Sequence, residues 1–293
     1  MRDIVHLNIA HFAATVEQAA QPALRRCPII VSLQSRGRSF VYDVSAEAWL
    51  NGVDRGISLS AARRRLPKAV VVPARPAIYR RAAQSLYRLA GEFSPLVEPA
   101  PRGHLFLDIT GMYSLYGASV DLAARLKREC RSRLGLDPGI GLASSKLVSK
   151  VATRVVKPFG FASVPGGSET GFLGPQPVTL LPGVGDALSH RMTALGIVTL
   201  GDLSLLPDDL AMAAFGRPGM RFRDFARGID GTPVTGRGMH ELPVKVIKEF
   251  ASDSSDLEEL EIHLHGLIEE AGFRLRQRNL TACRVRLFLG YTD

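Results

Sequence analysis

The 293-residue chain contains three cysteines and one tryptophan, and aromatic side chains occupy only 7% of positions. Cys27, Cys130 and Cys283 are too few and too scattered for a disulfide framework or a zinc site, so three reduced, structural thiols are expected. No apolar run approaches the length of a membrane-spanning helix, and Asp3 and His6 stand where a secretory signal would need an apolar block. A soluble, cytoplasmic protein with no membrane partner is expected. Acidic residues are scarce in the first half. Through Val164 the chain has 24 lysines and arginines against 11 aspartates and glutamates, and the remainder has 13 against 17. The net charge of +9 is thus concentrated in one half, which suits a polyanion, nucleic acid before membrane, although any single basic cluster can be an ordinary solvated face. The chain is longer than one typical domain and 46% apolar, enough for two or more cores.

The most informative stretch is Leu180-Leu181-Pro182-Gly183-Val184-Gly185-Asp186 followed by Ala187 to Ile197. It reads as a helix-hairpin-helix. Proline fixes the entry angle, the two glycines allow a tight turn, and Asp186 can cap the next helix. Leu188, Met192 and Leu195 recur at helical spacing, with Gly196 as the stop. The bare backbone N–H groups at Gly183 and Gly185 suit a DNA phosphate, a contact that positions DNA without reading its sequence.

Elsewhere strands and helices alternate without an internal repeat or a doubly wound pattern. Strands are expected at Asp3 to Ile9, Pro28 to Leu33, Ser39 to Val44, Val70 to Pro73, His104 to Ile109 and Gly139 to Ala143. Helices are expected from Phe12, between Ala46 and Pro67 as two short pieces, from Pro76 to Phe93, from Val120 to Leu134 and from Ser144. Lys146, Lys150, Arg154 and Lys157 fall along one edge of that last helix. Thr232 to Pro243 reads as a linker, Val244 to Phe250 as a strand, and the helix from Asp256 has the stripe Leu257, Leu260, Leu264, Leu267, Ala271 and Leu275, expected to be core. A final strand, Cys283 to Leu289, sets Arg284 and Arg286 on one face, where they can track phosphates.

In this order the motifs resemble a Y-family (DinB/UmuC-like), translesion-type DNA polymerase along nearly the whole chain. Val5 to Glu17 resembles the family's opening strand and helix, Gly52 to Pro67 its fingers, Leu105 to Gly111 its central palm strand, and Gly141 to Ala152 with Lys157-Pro158-Phe159-Gly160 its palm-to-thumb signature. The resemblance implies an α+β multidomain right hand. Its parts are a palm at 1–10 and 75–165, fingers at 11–74, a helix-hairpin-helix thumb at 166–232, a linker at 233–243 and a little finger at 244–293. Family little fingers continue past the point where this chain stops, so an incomplete one is expected.

Such enzymes hold two magnesium ions on three acids to neutralise a triphosphate and activate the primer hydroxyl. The resemblance places Asn8 at the first acid and Gly103 and His104 at the adjacent pair. The family's Tyr-x-Ala-Arg nucleotide element aligns with Ala46-Glu47-Ala48-Trp49, and the bulky steric gate with Ala13. Lys157 matches a triphosphate-facing lysine and is read as vestigial. No catalytic residue, metal or cofactor is therefore expected, and magnesium enters only if displaced carboxylates from Asp3, Asp43, Glu47, Glu98 or Asp108 serve. The expected DNA contacts are Pro182, Gly183, Val184, Gly185, Lys146, Lys150, Arg284 and Arg286. Residues Phe273 to Thr281 resemble the inactive ImuB-like branch, which implies an accessory scaffold of damage-induced mutagenesis. Its implied partners are DNA, the sliding clamp, an active translesion polymerase and a RecA-like protein. The competing readings are a working polymerase and, more weakly, another helix-hairpin-helix repair protein.

Overall fold

The computed structural model describes residues 2–25, 27–35, 38–236, 244–248, 250 and 254–290. Two compact units divide the chain, Met1–Arg237 and Gly238–Asp293.

The first unit is organised on strand β1 (Ile4–Asn8), all five residues of which are buried. It lies at the centre of a five-stranded sheet with β5 (Leu96–Ala100) and β6 (His104–Asp108) on one side and β7 (Gly139–Ala143) and β8 (Phe161–Ser163) on the other, in the order β5-β6-β1-β7-β8. Successive side chains point to opposite faces. Val5, Leu7 and Ile9 join the core built with α1 (Phe12–Ala20), α4 (Pro76–Gly91) and α6 (Ser119–Leu134). His6 lies on the other face, where Thr153 of α7 (Lys146–Val155) meets it. A Cβ on Gly141 would stand 2.0 Å from the Ser149 carbonyl oxygen, so the missing side chain lets α7 lie directly on β7.

A second sheet, β3-β2-β4, joins the hairpin of β2 (Ile29–Ser35) and β3 (Arg38–Val44) to β4 (Val70–Pro73), which runs parallel to β2. Its small core of Ile30, Val41, Val44, Ala48, Val53 and Ala62 is shared with α2 (Ala46–Leu50) and α3 (Leu59–Arg65). Each helix is started by a serine that accepts a backbone N–H, Ser45 and Ser58. Across the junction of the two sheets, buried Glu17 accepts hydrogen bonds from Arg75 and, at 2.7 Å, from the Tyr79 hydroxyl. A short α5 (Tyr113–Tyr116) precedes α6.

Beyond β8 come α8 (Glu169–Leu173), α9 (Asp186–Ala194), α10 (Leu200–Leu205) and α11 (Asp208–Ala226). Their core, including Leu173, Val178, Leu181, Met192 and Leu200, is continuous with Leu147, Val148, Val151 and Ala152 of α7. Each fully buried aliphatic side chain of this kind contributes about 1.5–3 kcal/mol relative to exposure. Helix α11 is broken at Gly216, whose φ is 66°, with Pro218 following.

Several sequence expectations are corrected. Strands β5 and β8 were not anticipated. Helix α7 is capped by Ser145 and begins at Lys146, two residues later than expected from Ser144. Gly185, not Asp186, is the N-cap of α9, and Asp186 sits in its first turn, where a carboxylate favours the N-terminal end of the helix dipole. In the second unit, α12 (Leu257–Arg276) is capped by Asp256, but none of its residues is buried and Leu257 is largely exposed, so the stripe is not a closed core. The described residues among 244–250 and those from Cys283 to Leu289 are not strands. Alternation supplies a face, but a strand also needs a paired neighbour, and none pairs with these segments among the described residues. Arg284 and Arg286 are accordingly exposed on unpaired backbone rather than on a sheet. Residues 237–243 of the expected linker lie outside the described residues.

Candidate nucleic-acid interface

The antiparallel register of β1 and β6 sets Asn8 opposite His104 and His6 opposite Phe106. These side chains share the sheet face under α7. Buried His6 Nδ1 lies 2.8 Å from Thr153 Oγ1, and its Nε2 lies 3.2 Å from His104 Nδ1. Burial, then the charges of Lys150, Lys157, Arg154 and Arg55, push His104 down to about 3. Burial also drives His6 well below the ordinary imidazole value, with further lowering by His104, Lys150, Arg154 and Lys157. Both rings are neutral near pH 7. Asn8 is 2% exposed, and its Nδ2 has no hydrogen-bond partner.

Magnesium takes carboxylate and other oxygen donors in near-octahedral array. The positions assigned by resemblance to metal-holding acids offer a neutral amide at Asn8, no side chain at Gly103 and a neutral imidazole at His104, under nearby lysines and arginines. This donor set does not fit the ion. Among the described residues no three His, Cys, Asp or Glu side chains come together as a ligand group.

The acids considered as stand-ins are mostly engaged elsewhere. Asp43 accepts from the Ala13 N–H at 2.8 Å and pairs with Arg55 at 2.7 Å. Glu98 accepts from Lys146 at 2.6 Å and from the Thr235 N–H at 2.9 Å. Asp3 accepts from Ser119, and Asp108 from the Thr110 N–H. Glu47 Oε2 is buried and has no hydrogen-bond partner. Ala13, Tyr42, Asp43, Arg55, Tyr79 and Arg102 line a small cavity of about 220 Å³.

Alongside the palm face runs a larger crevice of about 670 Å³, reaching the hairpin. Phe106, Lys146 and Lys150 line one side, with Lys146 Nζ 5.0 Å and Lys150 Nζ 5.9 Å from the Phe106 ring centre. Pro182, Gly183, Arg217, Arg221, Phe222 and Phe225 line the other, and Arg221 lies 4.9 Å above the Phe225 ring. Cations interleaved with aromatic faces suit a nucleic-acid strand, the cations for phosphate and the rings for bases.

The structure therefore brings together Lys146, Lys150, Pro182 and Gly183, and leaves Val184 outside the group. The Val184 side chain packs against the core of α7 to α11, and its N–H donates to the Leu181 carbonyl. The N–H groups of Gly183 and Gly185 have no acceptor among the described residues. Gly183 has φ +95° and its Cβ would sit 3.2 Å from the Phe222 ring, so the turn needs glycine for both conformation and space. Lys146 is not a free cation, since Glu98 holds it. Arg217, Arg221, Phe222 and Phe225 were missed by sequence reasoning, although the Arg217-x-x-x-Arg221 spacing beside two phenylalanines was a readable signal.

Two family models match the chain: the impB/mucB/samB family over residues 7–154 and the impB/mucB/samB family C-terminal domain over residues 245–293. A DNA polymerase IV of Dehalococcoides mccartyi (strain CBDB1) is 31% identical over 298 residues, covering 100% of this chain and 75% of that protein. Among solved structures, DinB from Sulfolobus solfataricus superposes with a TM-score of 0.75 at 24% identity, covering 79% of this chain and 69% of that one. A Y-family DNA polymerase chimera superposes with a TM-score of 0.77 at 20% identity, covering 92% of this chain and 80% of that one. The α+β right-hand fold is thus shared with these structures. No described helix is long and apolar enough to cross a membrane.

Proposed function

Because the chain belongs to the impB/mucB/samB family, the Y-family DNA polymerases, we propose that it binds primer-template DNA and acts without catalysis, as an accessory scaffold of translesion synthesis. The observation that carries this reading is the palm face. Neutral Asn8, Gly103 and His104 stand at the positions aligned with metal-holding acids, and burial, followed by the charges of Lys150, Lys157 and Arg154, lowers the His104 pKa. The crevice between Phe106 and the Pro182 hairpin supplies sequence-independent contacts. Affinity is expected to depend steeply on salt and weakly on sequence, because phosphate contacts dominate.

The ImuB-like role implies further partners, namely the sliding clamp, an active translesion polymerase and a RecA-like protein. The second reading, an active polymerase with displaced carboxylates, is favoured by the DNA polymerase IV name of the 31%-identical relative. Against it stand the engagements of Asp43 and Glu98 described above.

Primer extension with magnesium and deoxynucleotides, run beside a duplex-binding titration on one preparation, separates the two. Binding without extension is the expected result. Extension that is abolished by Asn8→Ala would overturn the non-catalytic reading.

A further inference from the structure

The segment expected to begin a linker is fastened to the palm. Arg2 donates to the Asp230 carbonyl at 2.9 Å and to the Thr232 carbonyl at 3.3 Å. The Asp230 carboxylate accepts the Leu147 N–H at 3.0 Å in the first turn of α7, where the helix dipole favours an anion. Val234 is buried with Ile4 of β1 and Phe106 of β6. Glu98 of β5 accepts from the Thr235 N–H at 2.9 Å and from the Thr235 hydroxyl at 3.1 Å. Residues 230–236 thus form a strap across β1, β6 and β5, and Asp230 and Thr232 border the crevice. The same Glu98 carboxylate accepts from Lys146 Nζ through Oε1 at 2.6 Å and Oε2 at 2.7 Å, and the Pro233 carbonyl oxygen lies 3.4 Å from that nitrogen. An ammonium group has three donors. Those of Lys146 are directed at the strap and its anchor, although the Lys146 side chain lines the crevice. A strand phosphate reaches this lysine only by displacing Glu98 or Pro233.

We propose that Glu98 is an internal competitor of nucleic-acid phosphate for Lys146, and that residues 230–236 are a latch released when a strand enters the crevice. A phosphate that takes Lys146 leaves the Pro233 carbonyl without this donor and Glu98 without its cation. A carboxylate beside a phosphate is repelled and turns to solvent, and the two Thr235 hydrogen bonds go with it. The side chains of Lys146 and Glu98 are only 17% and 23% exposed, so the pair is screened less than a surface ion pair and the competition is strong enough to measure. The inference rests on the DNA-binding part of the function proposed above and is independent of whether the chain catalyses.

Affinity of the full chain for a labelled primer-template duplex is read by fluorescence anisotropy across a salt series, and hydrogen exchange of the Thr235 amide is followed with and without duplex. Glu98→Gln is expected to bind about three- to tenfold more tightly at low salt, with a salt slope steeper by about one, because Lys146 gains a phosphate. Glu92→Gln removes the same charge from an exposed pair with Arg133, so it controls for net charge and is expected to change affinity by less than about twofold. In a Lys146→Gln background the gain from Glu98→Gln is expected to vanish. Exchange at Thr235 is expected to quicken when duplex saturates the wild type, and to be fast already in the free Glu98→Gln chain. The wild-type measurement needs no variant and keeps the test decisive where Glu98→Gln unfolds. Equal affinity of Glu98→Gln and Glu92→Gln, a gain that survives in the Lys146→Gln background, or Thr235 protection that holds or rises on saturation would overturn the latch with DNA binding intact. Absence of duplex binding by every variant would overturn the DNA-binding reading and the latch with it, so the two failures are told apart by whether the duplex binds.

Discussion

Reinstating an acid at Gly103 should damage the fold rather than rebuild a catalytic centre. Gly103 has φ +76°, and a Cβ built there would lie 2.4 Å from Phe12 Cδ2 and 2.8 Å from Phe12 Cγ. Phe12 is 6% exposed and belongs to the main core, so its ring cannot swing into solvent without opening a void. A side chain in the left-handed region costs about 1–2 kcal/mol, and overpacking a core about 1–3 kcal/mol more. Gly103→Asp is therefore expected to lose about 2–5 kcal/mol, a large share of the 5–15 kcal/mol typical of a folded protein. Urea unfolding followed by circular dichroism measures this directly. Asn8→Asp, which adds no atoms to a regular strand, serves as the steric comparison. An unchanged unfolding midpoint for Gly103→Asp would refute the steric reasoning. Primer extension by the combined Asn8→Asp, Gly103→Asp, His104→Glu variant would refute the wider view that the site has been remodelled around its lost acids.

Gly141→Ala should be more damaging still. The new methyl would meet the Ser149 carbonyl oxygen at 2.0 Å and the Thr153 N–H at 2.8 Å, so α7 must lift off the sheet, and a loss of about 3 kcal/mol or more in chemical denaturation is expected. Burial alone would raise the Glu98 carboxyl, but hydrogen bonds from Lys146 and Thr235 hold it below its ordinary 4.5. The Glu98 contribution is therefore complete above that value and is lost as the pH falls below it through the depressed folded pKa; a melting-temperature profile of Glu98→Gln should lack this acid-side fall, and an unaltered profile would remove Glu98 from the account. Gly183→Val should weaken duplex binding in a fluorescence-anisotropy titration by straining the turn at φ +95° and pressing on Phe222, while Lys68→Gln, at an exposed lysine elsewhere, should leave it intact.

The central strand, strand β7 and the Pro182 hairpin were legible in the sequence because each has a strong local cause. β1 is a run of β-formers, β7 is a short apolar run, and the turn is Pro-Gly-Val-Gly, whereas the close seat of α7 on Gly141 is visible only in the structure. β5 was hidden by Pro99, which argues against a central strand but is compatible with the sheet edge that β5 occupies. Three-residue β8 is too short for its pattern to register. At the site, Asn8 and His104 were placed by the family resemblance, and Lys150 was readable from helix spacing. The pairing of Lys146 with Glu98 was not, because the partners are 48 residues apart and meet only when β5 and α7 are assembled. Val184 was assigned to DNA as part of the hairpin turn, whereas its side chain packs onto the α7–α11 core and its N–H is taken by the Leu181 carbonyl. Arg217 and Arg221 follow the break at Gly216, and a helix resuming after a glycine and before a proline is not signalled by apolar periodicity.

Helix α7 acts as a splice between the sheet and the helices that follow. Thr153 ties one flank to His6 in the central strand, while Leu147, Val148, Val151 and Ala152 on the other flank are the wall on which α8 to α11 condense. The hairpin could not swing away from α7 without tearing the core that it shares with that helix. Amide exchange in β1, α7 and α9 should accordingly report one cooperative opening, and a grip built this way closes on its ligand by fit rather than by a moving jaw.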